Sequence, residues 1–290
     1  MMKKIRIFTA ILCALALSAC AAKPAASASA APSAVASTSV AASASKAGIV
    51  LKVGASPAPH AEILEAAKPL LAAEGITLEI VEFDEYVLPN TALEEGDLDA
   101  NYFQHKPYLD SFNEGNGTHL VSAAAIHYEP LGIYPGKTAT VDALADGAKI
   151  AVPNDGSNEA RALYLLEAQG VLKVDHAAGF AATALDVTEN PKNIEIVELD
   201  ADKIPSAVGD VDVAVINGNY AIAAGLTDTV LAQEDAAGES AKTYANIIAV
   251  REGDEARPEI TALIKALQSD TVSAMITEKY KGSVVPMAGK

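Results

Sequence analysis

From Leu51 onward the chain switches repeatedly between two hydrophobic rhythms. Val50–Gly54 is a short apolar run, and Ile76–Phe83 (ITLEIVEF) alternates apolar and polar residues with the two-residue period of a strand. Between them, Glu62–Ala73 sets Ile63, Ala66, Ala67, Leu70 and Leu71 at helical spacing, entered through Ser56-Pro57 and closed by Gly75. The pattern predicts further strands at Asp99–Phe103, Lys149–Val152, Ile194–Leu199, Val211–Ile216 and Ala245–Val250, with a β-rich stretch over Val121–Ile133. It predicts helices at Thr91–Glu95, Lys106–Phe112, Asn158–Gln169 and Pro258–Lys281, a helical turn at Asp142–Ala145 and a helix start at Tyr220–Ala224. Strands alternating with helices imply an α/β fold whose sheets are mostly parallel and covered on both faces.

The first 48 residues do not follow this rhythm. Lys3, Lys4 and Arg6 precede an apolar run from Ile7 to Leu17 and a small-residue end, the layout of a secretory leader. The run falls short of the ~20 apolar residues that span a bilayer as a helix. Leu17-Ser18-Ala19-Cys20 resembles a lipobox, so residues 1–19 are expected to be removed and Cys20 to carry lipid. Behind it, up to residue 48, an Ala/Ser-rich stretch without Leu, Ile or aromatic residues cannot bury enough surface to order itself. It reads as a disordered tether between an anchor and a folded domain.

Composition narrows the chemistry. Cys13 and Cys20 are the only cysteines, so the mature body has no disulfide, no thiolate nucleophile and no thiolate metal ligand. The formal charge is −17, and loss of the basic leader makes it more negative, which argues against nucleic acid as a partner. There is no G-x-S-x-G elbow and no phosphate loop, so no enzyme is indicated. His60, His105 and His127 each follow or end a predicted strand, but no His pair has ligand spacing, so no metal and no cofactor are expected.

Two stretches echo one another: EGDLDANYFQHKPYL (95–109) and VGDVDVAVINGNYAI (208–222). Each runs from Gly-Asp-x-Asp through a strand to polar and aromatic residues and then a helix. That places both clusters at carboxyl ends of strands, where α/β sheets bind ligands. The first cluster is dense in aromatics for a chain with nine Tyr, five Phe and no Trp. A third stretch, AVPNDGSNEARAL (151–163), reads as strand, tight loop and helix start, with Ser157 as the expected cap. Arg161 is anomalous there, because a cation in the first turns opposes the helix dipole. It either pairs with a protein carboxylate or holds the carboxylate of a ligand with its planar fork.

FQHKPYL, HYEPLGIY, AVPNDGSNEARAL, NPKNIEIVEL, VINGNYA and YANIIAV, in one register from Leu51 to Pro286, resemble the NlpA/MetQ lipoproteins. These are substrate-binding subunits of methionine-uptake ABC transporters. The resemblance implies a type II periplasmic-binding-protein fold of two α/β lobes, 49–135 plus 246–290 and 136–245. Crossovers are expected near Tyr134–Lys137 and Lys242–Asn246. It also implies a ligand pocket formed by Tyr86, Phe103, His105, Tyr108, Asn158, Arg161, Asn219 and Asn246. Tyr86, Phe103 and Tyr108 would box a thioether, Arg161 and the helix start would take the α-carboxylate, and Asn219 and Asn246 would accept from the α-ammonium. Tyr102 and Phe112 are expected in the core or on the lobe surface. The implied partners are methionine, a membrane permease with its ATPase subunits, and the membrane itself through Cys20 on the extracytoplasmic face. Another small hydrophobic amino acid, a methionine-containing dipeptide or, more remotely, a metal ion remains as an alternative ligand.

Overall fold

The computed structural model describes residues 48–287; the leader, Cys20 and most of the tether expected from the sequence lie outside the described residues. Among the described residues there are thirteen strands: β1 (Ile49–Ala55), β2 (Ile76–Glu82), β3 (Ala100–His105), β4 (Leu120–Tyr128), β5 (Gly132–Pro135), β6 (Lys149–Pro153), β7 (Lys173–Val174), β8 (Val187–Glu189), β9 (Glu195–Leu199), β10 (Val213–Ile216), β11 (Ala232–Gln233), β12 (Asn246–Arg251) and β13 (Val285–Pro286). The helices are α1 (Glu62–Ala73), α2 (Leu88–Glu94), α3 (Lys106–Asn116), α4 (Gly156–Ala168), α5 (Ile204–Ala207), α6 (Gly218–Ala223), α7 (Glu239–Thr243), α8 (Pro258–Leu267) and α9 (Asp270–Tyr280).

The larger strands form two sheets, ordered β13-β4-β12-β3-β1-β2 and β11-β5-β10-β6-β9. Each has a parallel half, β3-β1-β2 in the first and β10-β6-β9 in the second. The remaining partners are antiparallel: β12 runs against β3 and β4, and β5 against β10 and β11. The sheets are therefore more mixed than strand–helix alternation alone predicts. The antiparallel strands are those that lead the chain out of one sheet or back into it.

The central strands of both sheets, β3 and β12 in one and β10 in the other, are buried on both faces, and the pleat sorts the side chains. Ile248 and Val250 of β12 join Leu51, Val53, Leu64 and Leu263 on one side, while Ile247 and Ala249 join Leu93, Leu109 and Leu120 on the other. In β10, Val213 and Val215 pack with Ile150, Leu163 and Leu166, and Ala214 and Ile216 with Tyr134 and Ile204.

The first passage between the sheets is Glu129–Leu131, earlier than the expected Tyr134–Lys137. Gly132–Pro135, assigned to the first lobe from sequence, is paired in the second sheet. The β-rich run Val121–Ile133 is thus two strands, parted at Pro130, which has no amide hydrogen to offer a ladder. The second passage, residues 234–245, includes α7 and ends where β12 begins at Asn246. The predicted helix Pro258–Lys281 is likewise two, because Ser269 caps a new helix by accepting the Val272 amide at 3.3 Å.

Candidate functional site

Tyr86, Phe103, His105, Tyr108, Asn158, Arg161, Asn219 and Asn246 all line one cavity. Gln104, Glu129, Asn217 and Gly218 complete its wall. Strand geometry accounts for much of this convergence. Phe103 and His105 sit two apart on β3 and so share a face. α3 begins immediately afterwards, with Pro107 in its first turn and Tyr108 behind it. From the second sheet, α4 follows β6 and presents Asn158 and Arg161 three residues apart on one side. α6 follows β10 and supplies Gly218 and Asn219.

One end of the cavity is aromatic. Tyr86 lies 5.7 Å from Phe103 and 5.5 Å from Tyr108, centroid to centroid, and Phe103 lies 6.0 Å from Tyr108. Phe112 backs this group, 6.4 Å from Tyr108. Tyr102, from the same sequence cluster, is fully buried in the core of the first lobe.

The other end is polar. Arg161 donates from Nε and Nη2 to the two carboxylate oxygens of Glu234, at 2.8 and 2.5 Å, and from Nη2 to the Glu129 carbonyl at 2.9 Å. Its guanidinium carbon lies 4.3 Å from the Tyr244 ring centroid. The fork expected to hold a ligand is therefore occupied by Glu234, and among the described residues only Nη1 makes no hydrogen bond. Burial alone would raise the Glu234 carboxyl, but Arg161, the Leu131 amide and the Tyr128 hydroxyl together hold it below the ordinary range. The start of α4 is also engaged. Asp155, rather than Ser157, is the cap: its carboxylate accepts the Asn158 amide at 3.0 Å and the Ser157 hydroxyl at 3.2 Å.

His105 belongs to both the fold and the cavity. Its Nδ1 accepts the Tyr108 amide at 3.2 Å, capping α3, while Nε2 lies 3.0 Å from Asn158 Oδ1 in the other lobe. Burial, reinforced by the charge of Arg161, lowers its pKa to about 3. Asn158 Oδ1 also accepts from Asn217 Nδ2 at 3.0 Å, and Asn219 Oδ1 accepts from the Tyr86 hydroxyl at 2.6 Å. Asn246 Oδ1 lies 2.9 Å from His60 Nε2.

Sequence spacing concealed one cluster altogether. His60, His127 and Glu129 converge behind the cavity, with His127 Nε2 2.6 Å and His60 Nε2 3.3 Å from Glu129 Oε1. The shorter distance is that of a hydrogen bond between the groups. Glu129 carries no local signal in HYEPLGIY, whereas the density of aromatics at 102–112 and the scarcity of arginines drew attention to Phe103, Tyr108 and Arg161, and the family resemblance implied the rest.

Two α/β lobes that enclose a small-molecule cavity at the carboxyl ends of strands from both sheets define a type II periplasmic-binding-protein fold. Comparison with known proteins narrows this class. The model of the NlpA lipoprotein family matches residues 51–288, and the chain belongs to that family. It is 53% identical to a Ruminococcus gnavus lipoprotein of known crystal structure, with 82% of this chain and 99% of that one covered and a TM-score of 0.81. It is 45% identical to a nutrient binding protein from Burkholderia cenocepacia whose structure is bound to methionine, covering 81% and 99% of the chains with a TM-score of 0.77. It is also 38% identical over 241 residues to the D-methionine-binding lipoprotein MetQ of Escherichia coli K12, covering 81% of this chain and 87% of that protein.

Proposed function

We propose that this chain is a membrane-anchored, extracytoplasmic lipoprotein that binds methionine without transforming it and delivers it to an ABC importer. The observation that carries the reading is one cavity lined from both lobes, with an aromatic box at one end and an incompletely used arginine at the other. A flexible thioether suits the box, where each sulfur–aromatic contact contributes ~0.3–1.5 kcal/mol. The α-carboxylate would take the remaining Nη1 donors of Arg161, whose charge is already oriented by Glu234. Asn219 and Asn246 each have one amide-oxygen lone pair engaged and a second to offer an ammonium. The methionine in the Burkholderia structure and the name of the E. coli relative support the same ligand. Family membership supports a permease and ATPase as partners and Cys20 as the lipid-bearing residue.

Titration calorimetry of the purified receptor with L-methionine, D-methionine, glycyl-methionine and leucine tests the reading. Saturable binding of a methionine enantiomer, tighter than leucine, is expected. Preference for leucine or the dipeptide would replace methionine as the cargo, and no binding by any of the four would remove the amino-acid assignment. A Cys20→Ala variant should partition away from membranes.

A further inference from the structure

Glu129 is a buried carboxylate in the cavity wall, 4% exposed, with no Lys or Arg side chain in ion-pair contact among the described residues. The nearest guanidinium, that of Arg161, is directed to Glu234 and to the Glu129 backbone carbonyl rather than to its carboxylate. Two imidazoles face Glu129, yet neither supplies a positive charge. His127 sits between the Tyr102 hydroxyl at Nδ1 and the Glu129 carboxyl at Nε2. Burial lowers His127 to about 3 and His60 to about 4. Burial raises the Glu129 carboxyl above its ordinary range, and a cation seated against it would favour the ionised form.

A second group in the same wall is also incomplete. Asn217 is 6% exposed; its Nδ2 donates to Asn158, while its Oδ1 is buried without a hydrogen-bond partner. Gly218 follows it and brings the two groups onto one patch. A Cβ at Gly218 would lie 2.6 Å from Glu129 Cβ and 2.8 Å from Oε2, so only glycine lets α6 approach the carboxylate this closely. The wall thus offers a buried carboxyl without a Lys or Arg partner among the described residues and an unused acceptor, in a cavity where Arg161 has donors left over.

We propose that Glu129 and Asn217 form the anchor for the ligand's α-ammonium, that His127, itself held by Tyr102, is the positioning residue for Glu129, and that the site therefore selects free α-amino acids. This rests on the methionine reading and deepens it. Asn219 and Asn246 contribute neutral acceptors that already serve other donors; Glu129 contributes the charge. An analogue in which a hydroxyl replaces the ammonium offers Glu129 no cation, and an N-acetyl group removes the charge and adds bulk against Gly218.

The test is calorimetric titration of the receptor and its Glu129→Gln, Asn217→Ala, His127→Gln and His127→Leu variants with methionine, its hydroxy analogue and N-acetylmethionine. A hydrogen bond to a charged group corresponds to about 10- to 100-fold in affinity. The unaltered receptor is expected to prefer methionine over both analogues by at least that margin. Glu129→Gln should weaken methionine by about 10- to 100-fold and the hydroxy analogue far less, closing the gap between them. Asn217→Ala, a milder change, should narrow the same gap. His127→Leu should narrow it too, and His127→Gln, which keeps a donor, should restore most of it; a purely structural role would lower the melting temperature without moving the ratio. Equal binding of methionine and its hydroxy analogue by the unaltered receptor overturns the anchor while leaving the methionine reading intact. An equal loss of both in Glu129→Gln has the same meaning. Failure of the unaltered receptor to bind methionine overturns the reading and the anchor together.

Discussion

Arg161 concentrates the electrostatics of the cavity in one side chain. It is buried, paired with Glu234 and close over the Tyr244 ring, and it is proposed to hold the ligand's carboxylate as well. Replacing it with alanine should abolish methionine binding. It should also destabilise the protein by about 3–5 kcal/mol, because Glu234 would keep its charge in a buried place without the guanidinium. Adding Glu234→Gln to Arg161→Ala should recover much of that stability and none of the binding, which denaturant unfolding and calorimetry together would read. A single variant that unfolds like the unaltered protein would show the pair to be electrostatically idle. The two partners were not equally legible in the sequence. Arg161 stood out as a cation at a helix start in a chain with few arginines. Glu234 lies 73 positions away among many acidic residues, and only the tertiary structure brings them together. Glu129 and Asn217 were hidden for the same reason, since nothing local distinguishes a carboxylate or amide that will be buried.

α3 shows how one element can tie helix formation to pH. Its cap is the imidazole of His105, which must stay neutral to accept the Tyr108 amide. The folded pKa of about 3 lies below the ordinary value of 6.5, so the unfolded chain takes up this proton first and the associated stability is lost as pH falls below 6.5. At pH 5 the loss from this group alone is about 2 kcal/mol. His105→Asn keeps an acceptor at the cap and removes the titration. Its melting temperature relative to the unaltered protein should therefore rise between pH 7.5 and pH 5, and a constant difference would dissociate His105 from acid sensitivity. Helix bodies and strand cores were readable from their periods, as Glu62–Ala73 and Ile76–Glu82 illustrate. Element ends were less so: Asp155 outcompetes Ser157 as the cap of α4, because its carboxylate reaches both the Asn158 amide and the Ser157 hydroxyl. The antiparallel members of each sheet were not readable, because strand direction depends on where the chain returns rather than on local pattern.

Across the whole molecule, the lobes exchange hydrogen bonds at the cavity mouth. Tyr86 of the first lobe donates to Asn219 of the second, and Tyr220 of the second donates to the Asp84 carbonyl of the first at 3.1 Å, with their rings 5.0 Å apart. Such bonds favour the closed state over an open one that lacks them. Tyr220→Phe keeps the ring and removes one bond, so methionine release should accelerate by about 3- to 10-fold with little change in association. Stopped-flow displacement would measure both rates, and an unchanged release rate would show that this bond does not hold the lobes shut. Glu129 occupies the opposite position, in the short passage where the chain leaves one sheet for the other. A point beside a pivot hardly travels, whereas the rim sweeps through a wide arc. With the proposed anchor at Glu129, the tyrosines at the rim would arrive late, after a ligand has met the group beside the pivot. The receptor would register its cargo at the place that moves least and retain it at the place that moves most, so that changes near Glu129 chiefly alter which molecules are accepted and changes at the tyrosines alter how long they stay.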